Sequence, residues 1–166
     1  MNDWIILVLA NKLHVVVLLI AFIYALTISK QLQKKIILLS AVAFPLSFVL
    51  SRISSYFYFN PRPFVVGEFT PLVQHVADNG FPSDHVLLVA TVSMVIFLFN
   101  RPIGVGLILI SILVGLGRVL SGVHHVVDII GSFVIAFIAV YISYIFINKF
   151  VNKRNNVDTQ PRSNIT

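Results

Sequence analysis

The sequence predicts an all-α fold, a polytopic membrane helix bundle of about five transmembrane helices plus an N-terminal interfacial segment. Of the 166 residues, 58% are hydrophobic and only 11% are charged, and the mean hydropathy is +0.95. A chain with so little charge has too little polar surface to stay dissolved as a globular domain. Apolar runs also recur at close to the roughly 17 to 25 residues that a helix needs to cross a bilayer.

The candidate spans are residues 14–29, 36–57, 86–99, 103–120 and 126–148. The third run is short, but Pro82, Ser83 and Asp84 are residue types that start helices, so we expect this helix to extend upstream. The opening segment, MNDWIILVLANKLH, is too short to cross and lacks the pattern of a cleavable signal peptide. We therefore expect it to lie at the membrane surface, anchored by Trp4.

Basic residues predict the orientation of the bundle. If every run crosses, eight of them share one side: Lys30, Lys34, Lys35, Arg101, Lys149, Lys153, Arg154 and Arg162. The positive-inside rule makes that side the cytoplasm and places the 58–85 and 120–126 connections outside. We expect one membrane domain, residues 1–150, and a flexible cytoplasmic tail, residues 151–166. Because basic and aromatic residues do not interleave, the net charge of +6 indicates orientation, and no nucleic-acid partner is expected.

Three polar stretches fall on the outer side: NPRPFVVGEF from residue 60, FPSDH from residue 81 and GRVLSGVHHVVDIIGS from residue 117. Ionisable groups at the end of a membrane helix cost free energy unless they have a use. Arg, His and Asp on three helix ends at one membrane face can converge in a pocket between the helices. We therefore interpret the three stretches as one site.

The third stretch contains a histidine and a carboxylate with helical spacing. His124 and Asp128 are four residues apart, so on a helix they share one face. The carboxylate can accept the Nδ1 proton and leave the other nitrogen free as a nucleophile or general base. The alternative is a pair that only satisfies itself at a helix end. Arg118 and Arg62 offer guanidinium groups for phosphate oxygens, although each alone could extend to lipid headgroups.

The FPSDH stretch is typical of a helix start. Pro82 presets the first helical turn, and Ser83 and Asp84 are capping residue types. Free backbone N–H groups in that turn favour an anion. His85 would then protonate a leaving oxygen, the alternative being a capped helix with a buried histidine.

The sequence indicates no metal and no cofactor. It has no cysteine, and no pair of residues has the spacing of His-x-x-x-His, paired-carboxylate or Cys/His metal sites. We therefore expect arginines to neutralise the charge that Mg²⁺ neutralises in other phosphoryl-transfer sites.

At these residues the sequence resembles the type 2 phosphatidic acid phosphatase superfamily, whose motifs are Lys-x6-Arg-Pro, Pro-Ser-Gly-His and Ser-Arg-x5-His-x3-Asp. PSDH carries Asp84 at the glycine position, and GRVLSGVHHVVD carries Gly117 at the serine position while keeping the later spacing. The lysine position of the first motif is Ser55. Arg52, three residues earlier on the same helical face, could supply the missing charge.

The resemblance implies a role for each matched residue. It implies that His124 is the nucleophile that forms a phosphohistidine, Asp128 its orienting partner and His85 the acid for the leaving group. The candidate phosphate-binding residues are Arg62, Ser83, Asp84, Arg118 and Arg52.

Within the superfamily, NPRPFV followed by FPSDH is similar to the bacterial undecaprenyl pyrophosphate phosphatases of the bacitracin-resistance type. This similarity implies a lipid-linked diphosphate substrate, cleaved to undecaprenyl phosphate and inorganic phosphate at the outer face of the bacterial inner membrane, in recycling of the cell-wall carrier. Phosphatidylglycerophosphate, phosphatidate and lipid A phosphate are alternative substrates. A non-enzymatic carrier of anionic lipids is a different class, but binding alone needs neither a nucleophile nor an acid.

Overall fold

The computed structural model describes residues 2–158, and the side chains of residues 2–149. Across residues 2–158 the chain forms helices and no strand, which confirms the all-α prediction. The helices are α1 (Asp3–Asn11), α2 (Leu13–Thr27), α3 (Lys30–Phe57), α4 (Pro63–Val66), α5 (Asp84–Phe99), α6 (Arg101–Leu120) and α7 (Val126–Asp158).

Helices α2, α3, α5, α6 and α7 occupy the five predicted spans. By length and apolar composition, α3, α6 and residues 126–149 of α7 could each cross a membrane, and α1 with α2 could cross as one bent span. Helix α5 has only 16 residues, and its predicted extension upstream stops at Asp84. The membrane helix bundle is confirmed, with one helix shorter than a usual span.

The short helix α5 lies at the centre of the bundle. It contacts α2, α3, α6 and α7, and it is apolar around its whole circumference, as expected for a helix with neighbours on every side. The hydroxyls of Thr91 and Ser93 are buried and hydrogen-bonded to the helix backbone, and the hydroxyls of Ser93 and of Ser111 on α6 lie 3.0 Å apart. The first turn of α5 is therefore held at the middle of one end of the bundle.

Helix α1 is bent by 42° from α2 and packs against α6. Gly117 permits this contact, because a Cβ at that position would lie 2.6 Å from backbone atoms of Leu9 and Ala10. Ala10 is buried, whereas Trp4 is 71% exposed. The expected interfacial segment is thus a helix that rests on the bundle by one side and leaves Trp4 accessible on another.

The two ends of the bundle differ in charge and in chemistry. At one end, Lys35, Phe99 and Asn148 line a common cavity, so the α2–α3 and α5–α6 turns lie near the end of the lipid-facing part of α7. The opposite end carries all three polar stretches. The backbone of α7 continues to Asp158, past residue 150 where we expected a tail, and Arg162 lies outside the described residues.

Candidate active site

Asn79 holds together the two loops that carry the first two polar stretches. Its side chain makes hydrogen bonds of 2.9–3.0 Å with Ser55, Tyr58, Asn60 and Phe81. The backbone N–H of Gly80 also donates to the carbonyl of Asn60 at 2.8 Å. These bonds bring Arg62, just before α4, to the same place as the start of α5.

His124 lies in the connection between α6 and α7, two residues before α7 begins. The prediction that His124 and Asp128 lie on one face of a helix is therefore wrong for the backbone of His124, since only Asp128 is in a helix. The two side chains nevertheless meet, with 3.4 Å between His124 Nδ1 and Asp128 Oδ2. A second acceptor is closer, because the carbonyl oxygen of Gly80 lies 2.9 Å from the same Nδ1.

The buried Asp128 carboxylate connects three segments of the chain. Its Oδ1 accepts a hydrogen bond of 2.7 Å from the Asn60 amide, and its Oδ2 accepts one of 2.8 Å from the backbone N–H of His125. The bond from His125 holds the chain before α7 against the first turn of that helix. His124 is therefore close enough to contact the Asp128 carboxylate. Because a carboxylate only accepts, each of these donors favours its charged form.

Arg62 faces the other nitrogen of the histidine. Its Nη1 lies 3.3 Å from His124 Nε2 and donates to the carbonyl of Val123 at 2.9 Å, and its Nε donates to Asp78 at 2.7 Å. A carbonyl can only accept and a guanidinium can only donate. His124 therefore carries its proton on Nδ1 and a lone pair on Nε2.

The charge state of His124 agrees with this tautomer. Burial lowers the pKa of His124 from the ordinary 6.5, the positive charges of Arg118 and Arg62 lower it further, and Asp128 opposes them. The ring is therefore neutral at pH 7, with an unprotonated nitrogen beside a fixed positive charge.

A cavity of about 140 Å³ opens next to His124. Its walls are Arg52, Ser55, Arg62, His75, Asp78, Asn79, Phe81, Pro82, Asp84, His85 and His124. Five of the predicted site residues are among them: Arg52, Arg62, Asp84, His85 and His124. Asp128 lies behind His124 and is completely buried.

Ser83 and Arg118 are also buried. Ser83 lies between Pro82 and Asp84 of the cavity wall, and the charge of Arg118 acts on His75 and His124 of that wall. Ser83 is the N-cap residue of α5, but its hydroxyl makes no capping bond, and Pro82 precedes the cap rather than occupying the first turn as expected. Within the described part of the chain, Ser83 Oγ and the Nε and Nη2 atoms of Arg118 have no hydrogen-bond partner. Leaving a buried cation unpaired is costly, so the arrangement favours a bound anion.

Asp84 and Arg52 form an ion pair at the cavity wall. The distance between Arg52 Nη2 and Asp84 Oδ1 is 2.6 Å, and the arginine also lies over the ring of Phe48. Asp84, which stands at the glycine position of the family motif, thus contacts Arg52, which could replace the lysine of that motif. Ser55, at the lysine position itself, accepts a hydrogen bond from Asn79.

The structure adds two histidines that sequence reasoning did not place. The ring of His14 on α2 lies edge-on to His85 with 5.0 Å between centroids, and the ring of His75 is 6.2 Å from that of His124. Burial and the Arg62 and Arg118 charges lower the pKa of His75. No spacing rule connects these pairs, because the packing of α2 against α5 and the course of the outer loop bring them together.

Within residues 2–158, no three His, Cys, Asp or Glu side chains cluster in a way that could hold a metal ion. The side chains that converge on the cavity are instead mainly guanidinium and imidazole groups, with Asp78 and Asp84 each engaged by an arginine. Such a set of donors fits a polyanionic ligand.

Residues 36–152 match the PAP2 superfamily. The match covers most of the chain, which therefore belongs to this superfamily. Among curated relatives, the undecaprenyl-diphosphatase BcrC of Bacillus subtilis (strain 168) is 33% identical over 114 residues, covering 69% of this chain and 59% of the relative. The bacitracin transport permease protein BcrC of Bacillus licheniformis is 31% identical over 98 residues, covering 58% and 48%. The chain thus spans less than two thirds of these relatives.

Two solved structures share the fold. Aquifex aeolicus LpxE superposes with a TM-score of 0.61 at 22% identity, covering 86% of this chain and 94% of LpxE. A transmembrane PAP2-type phosphatidylglycerolphosphate phosphatase from Bacillus subtilis superposes with a TM-score of 0.50 at 21% identity, covering 89% and 84%. At these identities the likeness concerns the fold alone.

Proposed function

We propose that this protein is an integral membrane phosphatase that cleaves undecaprenyl pyrophosphate to undecaprenyl phosphate and inorganic phosphate, with a phosphohistidine formed on His124. The observation that carries the proposal is the tautomer of His124. Its Nδ1 proton faces Gly80 and Asp128, and its Nε2, which bears the lone pair, lies 3.3 Å from Arg62 Nη1. The substrate is taken from the name of the Bacillus subtilis relative.

The first step is attack of His124 Nε2 on the terminal phosphorus. In the site as described, an N–H of Arg62 points at this nitrogen. A bound phosphate oxygen would accept that N–H and free the lone pair for attack. Arg118 and Ser83, with their unpaired buried donors, are the further ligands for the phosphate oxygens.

Both halves of the reaction use His85, which lines the same cavity. As the N–P bond forms and the bridging P–O bond breaks, His85 gives a proton to the departing oxygen. Water then attacks the phosphohistidine, with His85 now acting as the base, and inorganic phosphate leaves. Arginines supply the positive charge for both steps, so the proposed reaction needs no metal and no cofactor.

We place the site on the outer face of the bacterial inner membrane, with the C-terminus in the cytoplasm. Support comes from the charge of the opposite end, where Lys30 begins α3, Lys35 lies in the second turn of α3 and Arg101 begins α6. A diphosphate headgroup on the outer leaflet would then be cleaved where it lies, because moving a polyanion across about 30 Å of hydrocarbon is far costlier. This location suits recycling of the cell-wall carrier and bacitracin resistance.

The test is phosphate release by the purified full-length protein in detergent. Undecaprenyl pyrophosphate is compared with phosphatidylglycerophosphate, phosphatidate and lipid A phosphate at equal micellar concentration. We expect the highest kcat/KM for undecaprenyl pyrophosphate, full activity in excess EDTA and inhibition by vanadate. A higher value for a glycerol lipid would transfer the assignment to that substrate, and loss on chelation that Mg²⁺ or Zn²⁺ restores would refute the mechanism.

A further inference from the structure

We propose that Arg52, positioned by Asp84, forms a second phosphate subsite on the leaving-group side of the cavity and makes the enzyme selective for diphosphates over monophosphates. The inference rests on the proposed function and names the substrate class of the same site. Among the described contacts, His124 is reached by Arg62 and not by Arg52 or Asp84.

Two contacts hold the Arg52 guanidinium in place. Its Nη2 lies 2.6 Å from Asp84 Oδ1, and its Cζ lies 5.1 Å from the centre of the Phe48 ring. A single-atom bond to Asp84 leaves further N–H donors of the guanidinium fork for another acceptor. Because the Arg52 side chain is 50% exposed, a ligand entering the cavity can reach those donors.

The two arginines of the cavity stand beside different catalytic groups. Arg62 contacts His124, the proposed nucleophile. Arg52 contacts Asp84, which precedes His85, the proposed acid for the leaving group. All of these groups line one cavity, so a phosphate attacked by His124 at Arg62 can extend its departing group toward His85 and Arg52.

The chemistry of the departing group then decides whether Arg52 matters. In a diphosphate, the bond from His124 Nε2 to the terminal phosphorus forms and the bridging P–O bond breaks. The bridging oxygen leaves with the inner phosphate and takes its proton from His85. Negative charge grows on that inner phosphate, where a guanidinium can stabilise it. A monophosphate ester leaves as a neutral alcohol, which gives Arg52 nothing to stabilise.

Asp84 acts through Arg52 and is a positioning residue. A carboxylate repels a phosphate, so direct binding by Asp84 is disfavoured. Its hydrogen bond instead fixes where the guanidinium points. Since Arg52 and Asp84 are both substantially exposed, the pair adds little to folding stability, and variants of either residue should fold.

The experiment compares farnesyl diphosphate with farnesyl monophosphate, which share one hydrocarbon chain, for the full-length protein in detergent. Arg52→Ala should reduce kcat/KM for the diphosphate by about 10- to 100-fold, the size expected for a charge-assisted hydrogen bond, and change the monophosphate less than about threefold. Arg52→Lys should recover part of the loss. Asp84→Asn should lose diphosphate activity in the same direction, and the double variant should lose no more than Arg52→Ala.

Arg101→Ala, at the opposite end of the bundle, is the matched control and should leave the ratio of the two substrates unchanged. Equal losses on both substrates, or no loss on either, would overturn the subsite. Additive losses in the double variant would overturn the positioning role of Asp84. If the wild type fails to cleave farnesyl diphosphate but cleaves the monophosphate, the proposed function fails as well. Failure of the subsite alone leaves wild-type diphosphate cleavage intact.

Discussion

The carbonyl oxygen of Gly80 lies closer to His124 Nδ1 than does the Asp128 carboxylate, at 2.9 Å against 3.4 Å. The two acceptors share one proton, and both select the same tautomer. A Cβ on Gly80 would lie 3.0 Å from Asp128 Oδ2, so the missing side chain is what allows the three groups to meet. The tautomer of the proposed nucleophile therefore does not depend on Asp128 alone.

Asp128→Asn should accordingly reduce kcat without abolishing it. The Gly80 carbonyl keeps the proton on Nδ1, so only the charge stabilisation of the phosphorylated histidine is lost. We expect a decrease of about 10- to 1,000-fold, below the roughly 10⁴-fold loss in a serine protease triad, where the same change gives the wrong tautomer. Single-turnover kinetics would measure it. A loss as large as that of His124→Ala would show that Asp128 alone sets the tautomer.

Replacing His124 and replacing His85 should impair catalysis in different ways. His124→Ala should abolish the trapped phosphoenzyme, because it removes the nitrogen that forms the N–P bond. His85→Ala should lose less activity on p-nitrophenyl phosphate than on farnesyl monophosphate, whose alkoxide is a poor leaving group, since a good leaving group needs less protonation. Acid quench with labelled substrate detects the phosphoenzyme. A phosphoenzyme in His124→Ala, together with equal losses of His85→Ala on both substrates, would contradict the assignments.

The kcat/KM of the enzyme should be lost only at low pH. The pKa of His124 is lowered below 6.5 by burial, so the neutral, nucleophilic form persists as pH falls through that value and is lost only below it. The kcat/KM profile, which reports the free enzyme, should therefore have its acid midpoint under 6.5. His75→Gln is the control, because His75 also lines the cavity and its pKa is lowered too. An acid midpoint above 6.5 that His75→Gln leaves in place would be incompatible with this role of His124.

Restoring the family serine at Gly117 should destabilise the protein. A Cβ there would lie 2.6 Å from the backbone of α1, which must move away, at a cost of about 1 to 3 kcal/mol for overpacking. Gly106→Ser on the same helix is the matched control, because nothing lies within 4 Å of its added Cβ. Thermal unfolding in detergent should show a lower Tm for Gly117→Ser alone. Equal Tm values for the two variants would mean that α1 does not pack as described.

The proposed orientation can be read with single cysteines, since the native chain has none. Val76 is 71% exposed in the outer loop, and Lys30 is exposed at the start of α3. A membrane-impermeant maleimide should label Val76→Cys in intact cells and label Lys30→Cys only after lysis. The reverse pattern would place the site in the cytoplasm and exclude action on an outer-leaflet substrate.

Hydropathy by itself determined which segments are helices, because a chain in lipid must satisfy its backbone hydrogen bonds within each span. Motif order and spacing also predicted that His85, His124 and Arg62 would meet. Their residue types suit the proposed chemistry, and the apolar runs leave them at one end of the bundle. Asp84 and Arg52 were candidates for the phosphate site in the same way, but no pattern indicated that they contact each other.

Only the tertiary structure decided the remaining contacts. The Gly80 carbonyl at His124, the Asn79 bonds between loops, the Arg52–Asp84 pair and the His14–His85 contact join segments far apart in the chain. Each of these contacts depends on how far one helix is rotated and shifted relative to its neighbour. In a membrane the rotation and shift of a helix are set by close packing at small residues such as Gly117. Hydropathy does not set them, because lipid is as apolar as the side chains and rotating a helix hardly changes how much apolar surface faces apolar surroundings.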